Sequence, residues 1–279
     1  MSSDARVLAV IPARYGSSRF PGKPLALICG KPMIQHVYER AAACSMVDRV
    51  VVATDDERIR AAVVKFGGEP VMTGECPTGT HRVATAAASM PEFGIVLNVQ
   101  GDEPLLHPAM LEDLVTPFGG RPELVMTTLG EPMKHARDYV SPDVVKVMRD
   151  RAGSALYFTR AAAPGSRDGS VWDADAPVLR HVGLYGYRAD FLQAMVRLDP
   201  TPLETREGLE QLRALENGYG IHVSETDYST IGVDTPEELA AVEAILASAH
   251  SVGWPFRRPR VGAAVRRRPT PMPPTDTDR

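Results

Sequence analysis

Apolar and polar positions alternate along this chain in a regular sequence of short runs. "RVLAVI" (6–11) is a compact apolar run of strand length. "PMIQHVYERAAACS" (32–45) places its apolar residues at helical spacing. "DRVVVAT" (48–54) is a second strand, and "DERIRAAVVKFG" (56–67) a helix that stops at glycine. "EPVMT" is strand-like, "THRVATAAAS" helical, and "GIVLNVQ" (94–100) a buried strand. Strand–helix–strand alternation predicts a mostly parallel sheet with helices on both faces. In such sheets ligands bind beyond the carboxyl ends of the strands, so the polar residues after Ile11, Ala53 and Val99 belong to one working edge.

The rhythm changes in the middle. "LVMTTL" (124–129), "DVVKVMRD" (143–150), "SALYFTR" (154–160) and "RHVGLYGYR" (180–188) read as strands without long helices between them. A mixed β insertion at about 124–200 is expected there, a usual place for a dimer contact. Helices return at 204–218, with a glycine stop, and at 234–250. The latter opens with an Asp or Thr cap, a proline and first-turn glutamates. A single domain over 1–254 accounts for all of this.

Residues 255–279 break the pattern. From Trp254 onward the chain holds six prolines and seven arginines with almost no apolar periodicity, which predicts a disordered tail. Seven arginines and two aspartates give it +5, leaving −9 for the body of a chain whose total is −4. That balance suggests neither nucleic acid nor a membrane surface as partner. No apolar run reaches spanning length, and no signal-peptide pattern precedes the first strand. Cys29, Cys44 and Cys76 are scattered, without metal spacing, and fit a reducing cytoplasm. Lysine is rare, five against 26 arginines, and none follows Lys146.

The chemistry concentrates in "IPARYGSSRFPGKPL" (11–25). Gly16 and Gly22 let backbone amides approach a ligand closely. Ser17 and Ser18 donate hydrogen bonds, and Arg14, Arg19 and Lys23 supply charge. A loop of that composition near a helix start suits a triphosphate. It is neither a Walker loop nor a dinucleotide GxGxxG. Asp102 in "NVQGDEP" follows a strand end and a glycine, where a carboxylate can hold Mg²⁺ against a phosphate. Asp234 in "IGVDTPEE" sits at a strand-to-helix junction and reads equally as a plain helix cap.

"PARYGSSRFPGKPL" resembles the signature of the sugar-activating nucleotidyltransferases. Together with "VVATDDERI", "VLNVQGDEPLL", "SPDVVKVM", "ALYFTRAAAP", "LRHVGLYGYR", "LEQLRALENG" and "IGVDTPEEL", it is most similar to the 3-deoxy-manno-octulosonate (Kdo) cytidylyltransferase, or CMP-Kdo synthetase, family over about residues 6–245. The resemblance implies a Rossmann-like, GT-A-like α/β fold, a homodimer formed through the middle segment, and Mg²⁺ on Asp102 and Asp234. It implies a CTP site from Ala13, Arg14, Ser17, Ser18, Arg19, Lys23, Thr78, Arg82 and Gln100, with Arg14 and Lys23 gripping the β- and γ-phosphates. It implies an acid-substrate site from Arg167, His181, Tyr185, Glu210 and Gln211. The reaction implied is attack of an acid's hydroxyl on the α-phosphorus, releasing diphosphate.

The chain also departs from the family pattern. "ECPTGTHR" (75–82) carries Cys76 where the family has histidine and His81 where it has an acidic residue. The loop at 161–170 has small residues where bulkier ones are usual. Three readings follow: Kdo activation for lipopolysaccharide, a CMP ester of a small phosphonate such as phosphonoformate in antibiotic biosynthesis, or an inactive nucleotide-binding protein.

Overall fold

The computed structural model describes residues 5–16, 20–169, 172 and 176–252. The elements, in chain order, begin with β1 (Val7–Ala13), a short hairpin β2 (Leu27–Ile28) and β3 (Lys31–Pro32), and α1 (Met33–Ala42). β4 (Arg49–Thr54), α2 (Glu57–Lys65), β5 (Pro70–Met72), α3 (Gly79–Ala88), β6 (Ile95–Asn98) and α4 (Pro108–Val115) continue the alternation. Then come β7 (Met126–Pro132), α5 (Ala136–Val140), β8 (Lys146–Arg149), β9 (Ala155–Thr159), β10 (Leu179–Arg188) and α6 (Ala189–Met195). The chain closes with α7 (Pro202–Glu207), α8 (Gln211–Glu216), β11 (Ile221–Glu225) and α9 (Pro236–Val252).

The main sheet runs in the order β11-β7-β10-β6-β1-β4-β5. β1 pairs in parallel with β4 and β6, β4 with β5, and β11 with β7. β10 alone on this path is reversed, antiparallel to both β6 and β7. Side chains along β1 alternate between the two faces and are buried on both, which explains the two-layer cover. Val7, Ala9 and Ile11 face a core closed by Ile34 and Val37 of α1, Ile59 of α2 and Leu114 of α4. Leu8 and Val10 face the opposite core, closed by Val83 of α3, Leu192 of α6 and Leu212 of α8. Helices on both faces are as the alternation predicts.

Three expectations change. The middle segment is not wholly an insertion. β7 and β10 are strands of the main sheet, and only the β8–β9 pair leaves its path. The helix over 204–218 is two helices, because Gly208 adopts a left-handed φ of 64° and ends α7. α4, α6 and β11 lie in stretches read as neither helix nor strand, although β11 alternates apolar and polar residues. The tail lies outside the described residues. No helix among them is long and apolar enough to cross a membrane.

Candidate active site

The carboxyl ends of β1, β4 and β6 lie at one edge, and the loop after each leads into the site. Gly101 follows β6 where a Cβ would sit 3.0 Å from the Pro12 carbonyl oxygen, so glycine lets this turn lie closely against the end of β1. The next residue is Asp102. Its carbonyl accepts from the Val233 amide at 2.9 Å, which ties the segment carrying Asp234 to the one carrying Asp102. The helix-cap alternative for Asp234 resolves in favour of its neighbour. The Thr235 hydroxyl accepts from the Glu238 amide, and the Glu238 carboxylate accepts from the Thr235 amide at 3.0 Å. This is a reciprocal capping box, so Thr235 caps α9.

Lys23 joins the two aspartates. It opens a single 3₁₀ turn whose cap, Gly22, has φ 75° and donates its amide to the Tyr15 carbonyl at 2.9 Å. The Lys23 ammonium reaches Asp102 Oδ2 at 2.7 Å and Asp234 Oδ1 at 2.9 Å. Burial works against its charge, but Asp102 and Asp234 outweigh that and raise its pKa. The aspartate side chains stay 33% and 42% exposed, open toward the edge. Two hard oxygen donors around one cation suit Mg²⁺, which is held by one or two carboxylates with phosphate oxygens completing its shell. Glu103, beside Asp102, is pushed up to about 7, first by burial and then by the Asp102 charge.

The other expected nucleotide residues divide. Ala13 is buried at the end of β1, and Arg14 is exposed just beyond it. Ser17, Ser18 and Arg19 lie outside the described residues. Thr78 caps α3 and also donates to Glu210 Oε1 at 3.1 Å. Arg82 is enclosed, its guanidinium donating to Thr73 Oγ1 and to Asp55 Oδ2, each at 2.5 Å. Gln100 donates to Asn98 Oδ1 at 3.3 Å, behind the edge.

Reversal of β10 builds the second half of the site. Tyr185 pairs with Asn98 at the end of β6, and His181 with Gly130 near the end of β7. The first half of β10 therefore stands at the same edge. It lines a cavity of about 350 Å³ with Asp143–Val145, Arg180, and the α7–α8 turn carrying Glu210 and Gln211. Four of the five expected acid-site residues meet there. Arg167 does not: it is exposed in the β9–β10 loop, away from the cavity lining. The arginine in the lining is Arg180, which pairs with the buried Glu131. The signal was present in "LRHVG", one residue before His181. Thr80 was also missed, and it donates to Glu210 Oε2 at 2.5 Å.

Burial lowers the His181 pKa to about 3, so the ring is neutral. The Thr128 hydroxyl donates to the Leu184 carbonyl at 2.8 Å and lies 3.0 Å from His181 Nε2. Burial, then the Glu210 charge, raises Tyr185 and keeps it a phenol. The two halves share a field: Arg180 and Lys23 both draw down the pKa of Glu103.

A charge-lined sheet edge with an adjoining polar cavity, on a sheet doubly covered by helices, defines a group-transfer enzyme of the nucleotidyltransferase class. Residues 8–226 match the cytidylyltransferase family, and the chain belongs to that family. It is 54% identical over 246 residues to the 3-deoxy-manno-octulosonate cytidylyltransferase of Syntrophotalea carbinolica, covering 86% of this chain and 98% of that protein. The protein of the same name from Geobacter metallireducens is 51% identical over 247 residues, covering 85% and 96%. Among solved structures, a CMP:2-keto-3-deoxy-manno-octonic acid synthetase complexed with CTP superposes with a TM-score of 0.82 at 43% identity, over 88% of this chain and 99% of that one. The 4-diphosphocytidyl-2C-methyl-D-erythritol synthase of Anaerococcus prevotii shares the fold at 13% identity and a TM-score of 0.58.

Proposed function

We propose that this protein activates 3-deoxy-manno-octulosonate, converting CTP and Kdo to CMP-Kdo and diphosphate. One observation carries this reading. A cavity lined by Arg180, His181, Tyr185 and Glu210 lies at the same sheet edge as the Lys23–Asp102–Asp234 cluster, on a chain with 43% identity to a synthetase complexed with CTP.

Each side chain then has a task. Arg14 and Lys23 hold the β- and γ-phosphates and offset charge on departing diphosphate. Asp102 and Asp234 would hold Mg²⁺, which would supply positive charge for the nonbridging phosphate oxygens. Lys23 exchanges its carboxylate partners for phosphate as the nucleotide enters. Arg180 takes the acid's carboxylate, while neutral His181, phenolic Tyr185 and the anchored Glu210 bond its hydroxyls. The acid's hydroxyl oxygen forms a bond to the α-phosphorus as the bond to diphosphate breaks, and the hydroxyl proton is released to water. Positioning and charge neutralisation suffice, with no covalent enzyme intermediate. The same family likeness supports a homodimer through the middle segment, where Leu156 of β9 is 64% exposed. Cytoplasmic CTP and a reducing compartment suit its free cysteines.

Diphosphate release with CTP and Mg²⁺ tests the reading, comparing Kdo with phosphonoformate. Turnover with Kdo, abolished in Asp102→Ala, is the expected result. Turnover with phosphonoformate alone would reassign the acid and make Cys76 and His81 marks of a repurposed site. CTP binding without release for either acid would leave a nucleotide-binding protein.

A further inference from the structure

Lys146 stands apart in a chain that uses 26 arginines and only five lysines. It opens β8 and is fully buried. Its ammonium donates to the carbonyl oxygens of Ser141 at 2.8 Å, Val144 at 2.7 Å and Arg160 at 2.7 Å. Three acceptors need three N–H donors, and a neutral amine has two, so the group is charged. No carboxylate lies within ion-pair distance of it among the described residues. A buried charge without an ion-pair partner is costly, and an apolar side chain of similar length would fill the space. Arginine would keep the charge, but its planar fork cannot converge on three carbonyls around one point. Both the charge and its tetrahedral geometry therefore need a reason.

The three carbonyls supply it: Val144 lies in the cavity lining, and Ser141 and Arg160 lie on segments bonded to its two sides. Ser141 and Val144 flank Asp143, and Asp143–Val145 line one side. The Val145 carbonyl accepts from the His181 amide at 2.9 Å, so this wall is hung between Lys146 and β10. Arg160 leaves β9 and is bonded through its amide to the Glu207 carboxylate at 2.9 Å and through Nε to the Glu207 carbonyl at 2.8 Å. Gly208 to Gln211, which follow directly, line the opposite side. One ammonium thus clamps the approach to β8 and the exit of β9, and through Arg160 and Glu207 the α7–α8 turn.

We propose that Lys146 is a positioning residue for the acid substrate, gathering three carbonyl oxygens onto its ammonium so that the wall facing an anionic ligand keeps its place and turns no backbone oxygen toward it. The inference rests on the cavity's being the acid site.

The test is steady-state diphosphate release by Lys146→Met and Lys146→Arg, with Kdo and CTP varied separately in Mg²⁺. Both variants should raise KM for Kdo by about tenfold or more and leave KM for CTP within about twofold. The arginine variant should fail as the methionine variant does, since it restores charge without the geometry. Propylammonium added to Lys146→Ala should recover KM for Kdo, and CTP binding by calorimetry confirms that each variant is folded. KM for both substrates rising together, or KM for Kdo unchanged in folded variants, overturns the proposal. Full activity in Lys146→Arg overturns it as well. A wild-type enzyme that binds CTP but does not turn over Kdo instead overturns the substrate reading.

Discussion

Lys23, Asp102 and Asp234 come from three loops at the sheet edge, and the two carboxylates keep a third or more of their surface open to water. His181, Tyr185 and Glu210 are arranged differently: they are set in a cavity wall, neutral or anchored, with partners fixed by the fold. On the proposed function, the first region is a set of charges that exchange partners as phosphate arrives. The second is a set of hydrogen bonds that hold shape before any ligand enters. Charge neutralisation tolerates movement, since Coulombic attraction falls slowly with distance. Selection among polyhydroxy acids does not, because each hydroxyl must meet a partner within a few tenths of an ångström.

The largest effect that separates the regions is expected at Lys23. Lys23→Met should lower the rate by roughly 10²–10³, typical for loss of one donor facing developing charge. It should also leave Asp102 and Asp234 facing each other without the ammonium between them. Millimolar Mg²⁺ alone should then raise the thermal midpoint of the variant more than that of the wild type. An equal response to Mg²⁺ in both proteins would show that the ammonium and the metal do not compete for the same carboxylates.

A smaller effect is expected in the cavity. Thr80→Val removes one of two hydroxyls that hold the Glu210 carboxylate. A hydrogen bond to a charged group contributes about 1.5–3 kcal/mol. KM for the acid should rise about tenfold while KM for CTP stays near its wild-type value. If KM for CTP rises in step, α3 and Glu210 serve the nucleotide instead, and the separation of the two regions fails.

The same contrast decides what the sequence discloses. Asp102 and Lys23 are legible because each follows a strand end within a contiguous polar motif, and a parallel sheet delivers strand ends to one edge. The cavity needs β10 to run backward and a glycine at 208 to split one apparent helix in two. Neither is a periodicity, so His181, Tyr185, Glu210 and Gln211 were reached only through the family resemblance, and Arg180 of the lining was not reached at all. Asp234 fell between these cases. "DTPEE" encodes a cap whichever of its first two residues makes it, and only the Thr235–Glu238 pairing shows which one does. Lys146 was visible only as the last lysine in an arginine-rich chain.

The smallest expected effect tests whether the cavity's neutrality is built in. His181 has a pKa of about 3 in the folded protein because burial disfavours its charged form, against an ordinary value of 6.5. Between those values the unfolded chain binds a proton that the native ring refuses. Unfolding is therefore favoured as pH falls, and the stabilisation present above pH 6.5 is lost progressively below it. One such proton gives a slope of about 1.4 kcal/mol per pH unit. His36 and His222, also lowered first by burial, contribute with the same sign. Denaturant unfolding between pH 4 and 7 should show stability rising with pH, and His181→Asn should reduce that slope by up to one proton's worth. KM for the acid, by contrast, should not titrate near pH 6.5, because the ring is already neutral on both sides of it. An inflection in that KM near pH 6.5 that disappears in His181→Asn would mean that the ring exchanges protons with solvent through the cavity mouth. The cavity would then be a second exchangeable set of charges, like the loops at Lys23, and no longer their opposite.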